Sequence, residues 1–187
     1  MSHKRALSQA FDHLRIRVEE MLKFYIDLLS DLNRDGIASV NLSKLNMAAS
    51  AIRAFDPKKL FDSFSKTNEH WINIKSRDPE TLEKVLRSAY DSGIIDVSLF
   101  MIPFDCLEKV SKDPQYRGLE QDDWPITEQD IEVIWEYLEA IVKICVKIIH
   151  IRRRPSTDSE PFEYRRSYFD GINVAKLARD LNFSLDI

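Results

Sequence analysis

The sequence predicts an all-α fold: an irregular multi-helix bundle around two long helices, about 4–32 and 127–151. Three observations carry this. Thr127 to Ile151 is the longest apolar run, and it stops against Arg152-Arg153-Arg154-Pro155. Leu7, Phe11, Leu14, Val18, Met21, Tyr25, Leu28 and Leu32 alternate spacings of four and three, an a/d heptad seam. Only four glycines occur in 187 residues, which leaves little material for β-turns or phosphate-cradling loops.

The first helix covers about 4–32, and Leu22, Ile26 and Leu29 broaden its seam toward the C-terminal end. Phe and Tyr at a/d positions pack irregularly, so an internal bundle partner is preferred. A homo-oligomer through the Leu7–Leu32 seam is the alternative. Asn33-Arg34-Asp35-Gly36 ends the helix, with Gly36 suited to a left-handed position. A second helix, about 42–55, carries Leu42, Leu45, Ala49 and Ile52. Asp56-Pro57 starts a third, with Asp as N-cap and Pro at N1, and Leu60, Phe61 and Phe64 form its apolar face.

Trp71 and Ile74 lie in a mixed stretch that reads as a short helix or turn. Asp78-Pro79 repeats the Asp-Pro start for a helix over 79–91, ended by Gly93. The run 94–102 reads equally as strand or short helix by periodicity. A lone strand has no pairing partner, so helix is favoured, with a further turn over 104–109. Ser111 to Pro125 is a polar loop holding Glu120, Asp122 and Asp123.

Thr127 to Asp130 then reads as a capping box. Ile131, Ile134, Trp135, Leu138, Ile141, Val142, Cys145, Ile148 and Ile149 follow at helical spacing, and further apolar residues widen the face until burial on most sides is implied. Glu132, Glu136, Glu139, Lys143 and Lys147 form one narrow polar stripe, acids first and bases last, as the helix dipole favours. At ~1.5 Å per residue this helix is roughly 38 Å long. Its charges at every third or fourth position exclude a membrane span. A polar segment, 152–170, and a last helix, about 172–181, complete one domain over 1–187.

Net charge is −4, which gives no bulk attraction for nucleic acid. Cys106 and Cys145 sit on separate apolar stretches, as free buried thiols in a reducing compartment would. Met1-Ser-His-Lys-Arg runs straight into a charged helix, so no secretory signal is expected. An intracellular location follows.

Three segments are candidates for binding, the acidic loop 111–125 among them as a partner surface. Asp31, Asn33 and Asp35 with Gly36 and Ser39 match part of an EF-hand loop, which uses oxygen ligands at positions 1, 3, 5 and 9 around a Gly at 6. Position 12, where a bidentate acid belongs, is Leu42. The preferred reading is an Asn/Asp/Gly turn, with calcium binding as the alternative. The basic cluster Arg152, Arg153, Arg154, Arg165 and Arg166 is the candidate partner surface. Lys143 and Lys147 extend it, whereas 120–139 holds eight acids and no base. The plainest reading of it is a solvated helix end; as a binding surface, an acidic protein surface is the first partner expected and nucleic acid the second. The four histidines, the cysteines and the serines form no metal or nucleophile motif. No enzyme, cofactor or resident metal is therefore expected.

Leu45-Asn-Met-Ala-Ala-Ser-Ala-Ile52, Phe55-Asp-Pro57, Glu69-His70-Trp71, Ile74, Asp78 and Lys147-Ile-Ile-His150 resemble a pattern in small helical proteins encoded by nucleocytoplasmic large DNA viruses. The resemblance covers about a third of the chain. It implies a virion or infected-cell protein, and it carries over no functional residue. The expected function is a non-enzymatic interaction or structural protein, a minor component of a viral particle or assembly. A nucleic-acid-associated module and a divergent calcium-binding protein are the alternatives.

Overall fold

The structure, a computed structural model, describes residues 3–89, 97–153 and 171–185. All regular structure among them is helical. Seven α-helices occur: α1 (His3–Arg34), α2 (Ser43–Ile52), α3 (Pro57–Ser65), α4 (Pro79–Ala89), α5 (Ile102–Lys112), α6 (Glu128–Arg153) and α7 (Val174–Asp180). Short 3-10 segments cover Asn68–Ser76, Val97–Phe100, Pro114–Tyr116 and Gln121–Asp123. No described helix is long and apolar enough to cross a membrane.

The helix boundaries follow local chemistry. α1 ends where Gly36 adopts φ +73°. The Ile37 amide then donates to the Leu32 carbonyl at 2.9 Å and the Gly36 amide to Asn33 at 3.2 Å, the paired bonds of a left-handed C-terminal cap. α6 opens with the predicted box. The Asp130 carboxylate accepts the Thr127 amide and hydroxyl, both at 2.8 Å, and the Asp130 amide donates to the Thr127 hydroxyl at 3.3 Å. Such a cap contributes about 1 kcal/mol. Asp56 caps α3 by accepting the Lys58 amide, and Asp78 accepts the Glu80 amide and the Thr81 hydroxyl. Asn173 does the same for α7 through the Lys176 amide.

α1 and α6 form the axis. Phe24 lies 5.8 Å from Tyr137, and Phe11 lies 5.2 Å from the Arg152 guanidinium, so the two helices run antiparallel. The heptad seam of α1 is buried along its whole length, from Leu7 to Leu32, against this chain's own helices. That removes the homo-oligomer expected as an alternative through this seam: a second copy has no access to side chains already packed inside. The reason is the breadth of the apolar face of α6, which needs a cover and takes α1.

Shorter elements close the sides. Arg15 Nη1 donates to the Arg53 carbonyl at 2.7 Å, and Arg53 Nε donates to Glu19 at 2.7 Å, which ties the end of α2 to the N-terminal half of α1. Phe61 of α3 meets Phe11 edge-on at 5.9 Å. On another side the Tyr25 hydroxyl donates to the Phe100 carbonyl at 3.2 Å, with the rings edge-on at 4.8 Å. Trp71 is buried and its indole N–H donates to the Thr67 hydroxyl at 3.2 Å. One hydrophobic cluster draws on all seven helices.

The ambiguous run 94–102 is 3-10 and then α-helical from Val97 onward, while 94–96, Tyr90 and Gly93 lie outside the described residues. The stretch expected as a plain polar loop, 111–125, contains two 3-10 turns, the first capped by Asp113 through the Gln115 amide. Fully buried Ile126 and partly buried Trp124 pin its end to the core.

Candidate functional site: the charged ends of the bundle

The structure redistributes the residues that the sequence nominates. Arg152 is not a free docking residue. Its guanidinium lies 4.6 Å from the Phe61 ring centre and 5.2 Å from that of Phe11, and so joins α6 to α3 and α1. A planar, weakly hydrated cation suits such stacking, which is why an arginine at a helix end can belong to the packing. We expect Arg152→Ala to cost about 1–2 kcal/mol in urea denaturation, with Arg152→Lys recovering only part. An unchanged midpoint for Arg152→Ala would show that the stacking contributes nothing.

Arg153 turns the other way and donates to the Ile172 carbonyl at 2.8 Å. It borders an open groove of about 490 Å³ between the end of α6 and α7, lined also by His150, Ile172, Asn173 and Leu185. Arg154, Arg165 and Arg166, the rest of the nominated cluster, lie outside the described residues.

The 31–39 segment is a folded turn rather than an ion cage. α1 continues through Arg34, so Asp31 and Asn33 stand on a helix instead of in a loop. The Asn33 side chain closes a ring with Val40, accepting its amide at 2.8 Å and donating to its carbonyl at 2.9 Å. Arg34 pairs with Asp31 at 2.9 Å and approaches Asp35 at 3.6 Å. The oxygens that calcium would need from Asn33 and Asp31 are thus engaged with the protein. Ser39 belongs to the turn but joins no group of ligands, and no cluster of three metal-ligating side chains occurs among the described residues.

Both thiols are buried. Burial pushes Cys106 above the ordinary cysteine range and Cys145 much further, so neither supplies a ready thiolate. His70 meets Glu69 at 3.3 Å on the surface, beside buried Trp71.

A polar centre that the sequence does not reveal surrounds Arg77. This residue takes a left-handed conformation, φ +54°, at the end of the 3-10 segment Asn68–Ser76. Its guanidinium reaches α6, with Glu132 at 2.7 Å and Glu139 at 3.2 Å, and lies 5.8 Å from the Trp135 ring centre. Glu139 also holds Lys143 at 2.6 Å. Burial raises the Glu139 carboxyl, but Lys143 and Arg77 together outweigh it and leave the group below the ordinary glutamate range. The acid half of the α6 polar stripe is therefore partly an internal anchor. Its paired charges give it a structural role.

Among the described residues, unpaired charge also lies around α2 and α3 and before α6. Over much of the surface, cations have helical partners: Lys84 with Glu80, Arg87 with Glu83, Lys112 with Glu108 and Lys23 with Glu19. Around α2 and α3, residues 43–66 hold five bases against two acids. Lys44, Lys58 and Lys59 are exposed there and pair with no described carboxylate. Met47, 69% exposed, and Phe55, 42% exposed, sit among them. Met47 and Ala51 lie on the face of α2 away from the buried Leu45, Ala48 and Ile52, and exposed Ala54 and Phe55 follow in the turn beyond the helix.

The opposite character appears before α6. Residues 113–128 hold five acids and one base. Glu120, Asp122, Asp123 and Glu128 are exposed and pair with no described cation, and Leu119 beside them is 47% exposed. No protein family, curated protein or solved structure matches this chain.

Proposed function

We propose that this chain is a non-enzymatic structural or interaction protein, a component of a larger assembly, that meets protein surfaces through its two charged ends. One observation carries the reading. Unpaired charge and exposed large apolar side chains coincide at α2–α3 and again at the 113–128 loop, whereas the charges of Glu132 and Glu139 are engaged by the Arg77 anchor. Exposed apolar side chains rimmed by polar ones mark interaction sites, and complementary charge governs encounter and register. The resemblance to small helical proteins of large DNA viruses implies a virion or an infected cell as the setting of such an assembly.

The test is recovery of the tagged chain from its native cells at low salt. A stoichiometric protein companion is expected, released by Lys58→Glu with Lys59→Glu or by Asp122→Lys with Asp123→Lys. Equal recovery of the companion with both variants, or nucleic acid in its place, would overturn the reading.

A further inference from the structure

We infer that the two charged ends recognise each other: the acidic 113–128 loop of one copy docks on the basic α2–α3 face of the next, in a head-to-tail contact. This rests on the assembly reading above and names its partner as a second copy of this chain.

The geometry keeps Lys58 and Lys59 apart from the start of α6 within one molecule. The α3 end of the basic face, with Phe55, Lys58 and Lys59, lies level with the N-terminal half of α1, where Arg15 and Glu19 hold Arg53 and Phe11 meets Phe61, whereas α2 starts near the other end of α1, where Val40 is bonded to Asn33. α6 runs antiparallel to α1 with Tyr137 beside Phe24. An equal run of helix beyond that pair brings Glu128 level with Asn33, at the other end of α1. From Arg15 to Arg34 the helix rises about 28 Å. That exceeds the screening length of about 10 Å at 0.1 M salt, so Glu128 does not neutralise Lys58 and Lys59 inside one chain.

The two surfaces match in kind. The basic face offers Phe55 beside Lys58 and Lys59, and the acidic loop offers Leu119 beside Glu120, Asp122 and Asp123. Asp56 on the basic side is occupied with its cap. Asp62 is the remaining acid there, outnumbered by the lysines around it. Two different patches in contact make a heterologous interface, which closes into a ring or continues as a filament. The exposed apolar groups are few, so a single contact is weak and transient, and it strengthens only when copies are concentrated or templated.

The experiment is sedimentation of the intact chain over a wide concentration range at about 50 mM and about 500 mM salt. The average mass should rise with concentration at low salt, and the association should weaken at least tenfold at high salt. Lys58→Glu with Lys59→Glu should abolish the rise, and so should Asp122→Lys with Asp123→Lys. The chain carrying all four changes should regain it, as should an equal mixture of the two double variants. All substituted residues are exposed, and unchanged thermal unfolding of each variant verifies the fold.

A monomer at every concentration at low salt would overturn the inference. So would association indifferent to either reversal, or failure of the four-site swap to restore it. A monomeric wild type whose double variants still lose a cellular companion would leave the assembly reading standing and remove only the self-recognition. A companion retained by both variants would remove both.

Discussion

Trp135→Ala is expected to lower the unfolding free energy by about 3–5 kcal/mol, the range for deleting a buried large aromatic, and the melting temperature by roughly 10 °C for a chain of this size. Trp135 is essentially buried and joins three parts of the fold. Phe104 of α5 meets it edge-on at 6.1 Å, Arg77 lies over its ring, and its own backbone belongs to α6. Its loss leaves a cavity and also strips Arg77 of the surface that positions it between Glu132 and Glu139. Trp135→Phe keeps a ring for both neighbours and should retain at least half of the lost stability. Urea denaturation of the two variants checks this. Equal, small losses would show that the site collapses around the gap.

Leu14→Ala should cost about 2–5 kcal/mol, with an unfolding midpoint that does not depend on protein concentration at high salt. Leu14 is fully buried near the middle of the α1 seam. If the seam held two copies together, mass action would raise the midpoint as concentration rose. Because the seam is closed by this chain's own α6, the midpoint should stay constant over a hundredfold dilution. A shift with concentration would return the seam to the surface.

Much of the fold was legible because its determinants are local. Thr127 and Asp130 announce the start of α6, Asp56-Pro57 and Asp78-Pro79 announce two more helices, and Gly36 ends α1 where a positive φ is needed. The apolar width of α6 implies burial without naming its neighbours. What escaped the sequence is long-range. Nothing local marks Arg77 as the partner of Glu132 and Glu139, since that pairing needs the fold to bring the 3-10 segment against α6. Arg152 misled for a related reason: a base at the end of a helix reads as solvated until Phe11 and Phe61 arrive from two other elements. The charged ends were half legible. The acidic run stood out as a block, whereas the basic face is assembled from α2 and α3, which read separately as ordinary amphipathic helices.

The pairing of Phe11 with Arg152 has a consequence during synthesis. The apolar seam of α1 leaves the ribosome well before its main cover, α6. Translation at ~5–20 residues per second leaves roughly 5–20 s between the completion of α1 and the start of α6. Closing a loop that long before its contacts form slows folding. Through that interval α2 and α3 shelter only part of the seam, and the nascent chain presents a stripe of Leu, Phe and Met of the kind that chaperones hold and that aggregates grow from. The order of the helices along the chain therefore makes the unfinished protein stickier than the finished one.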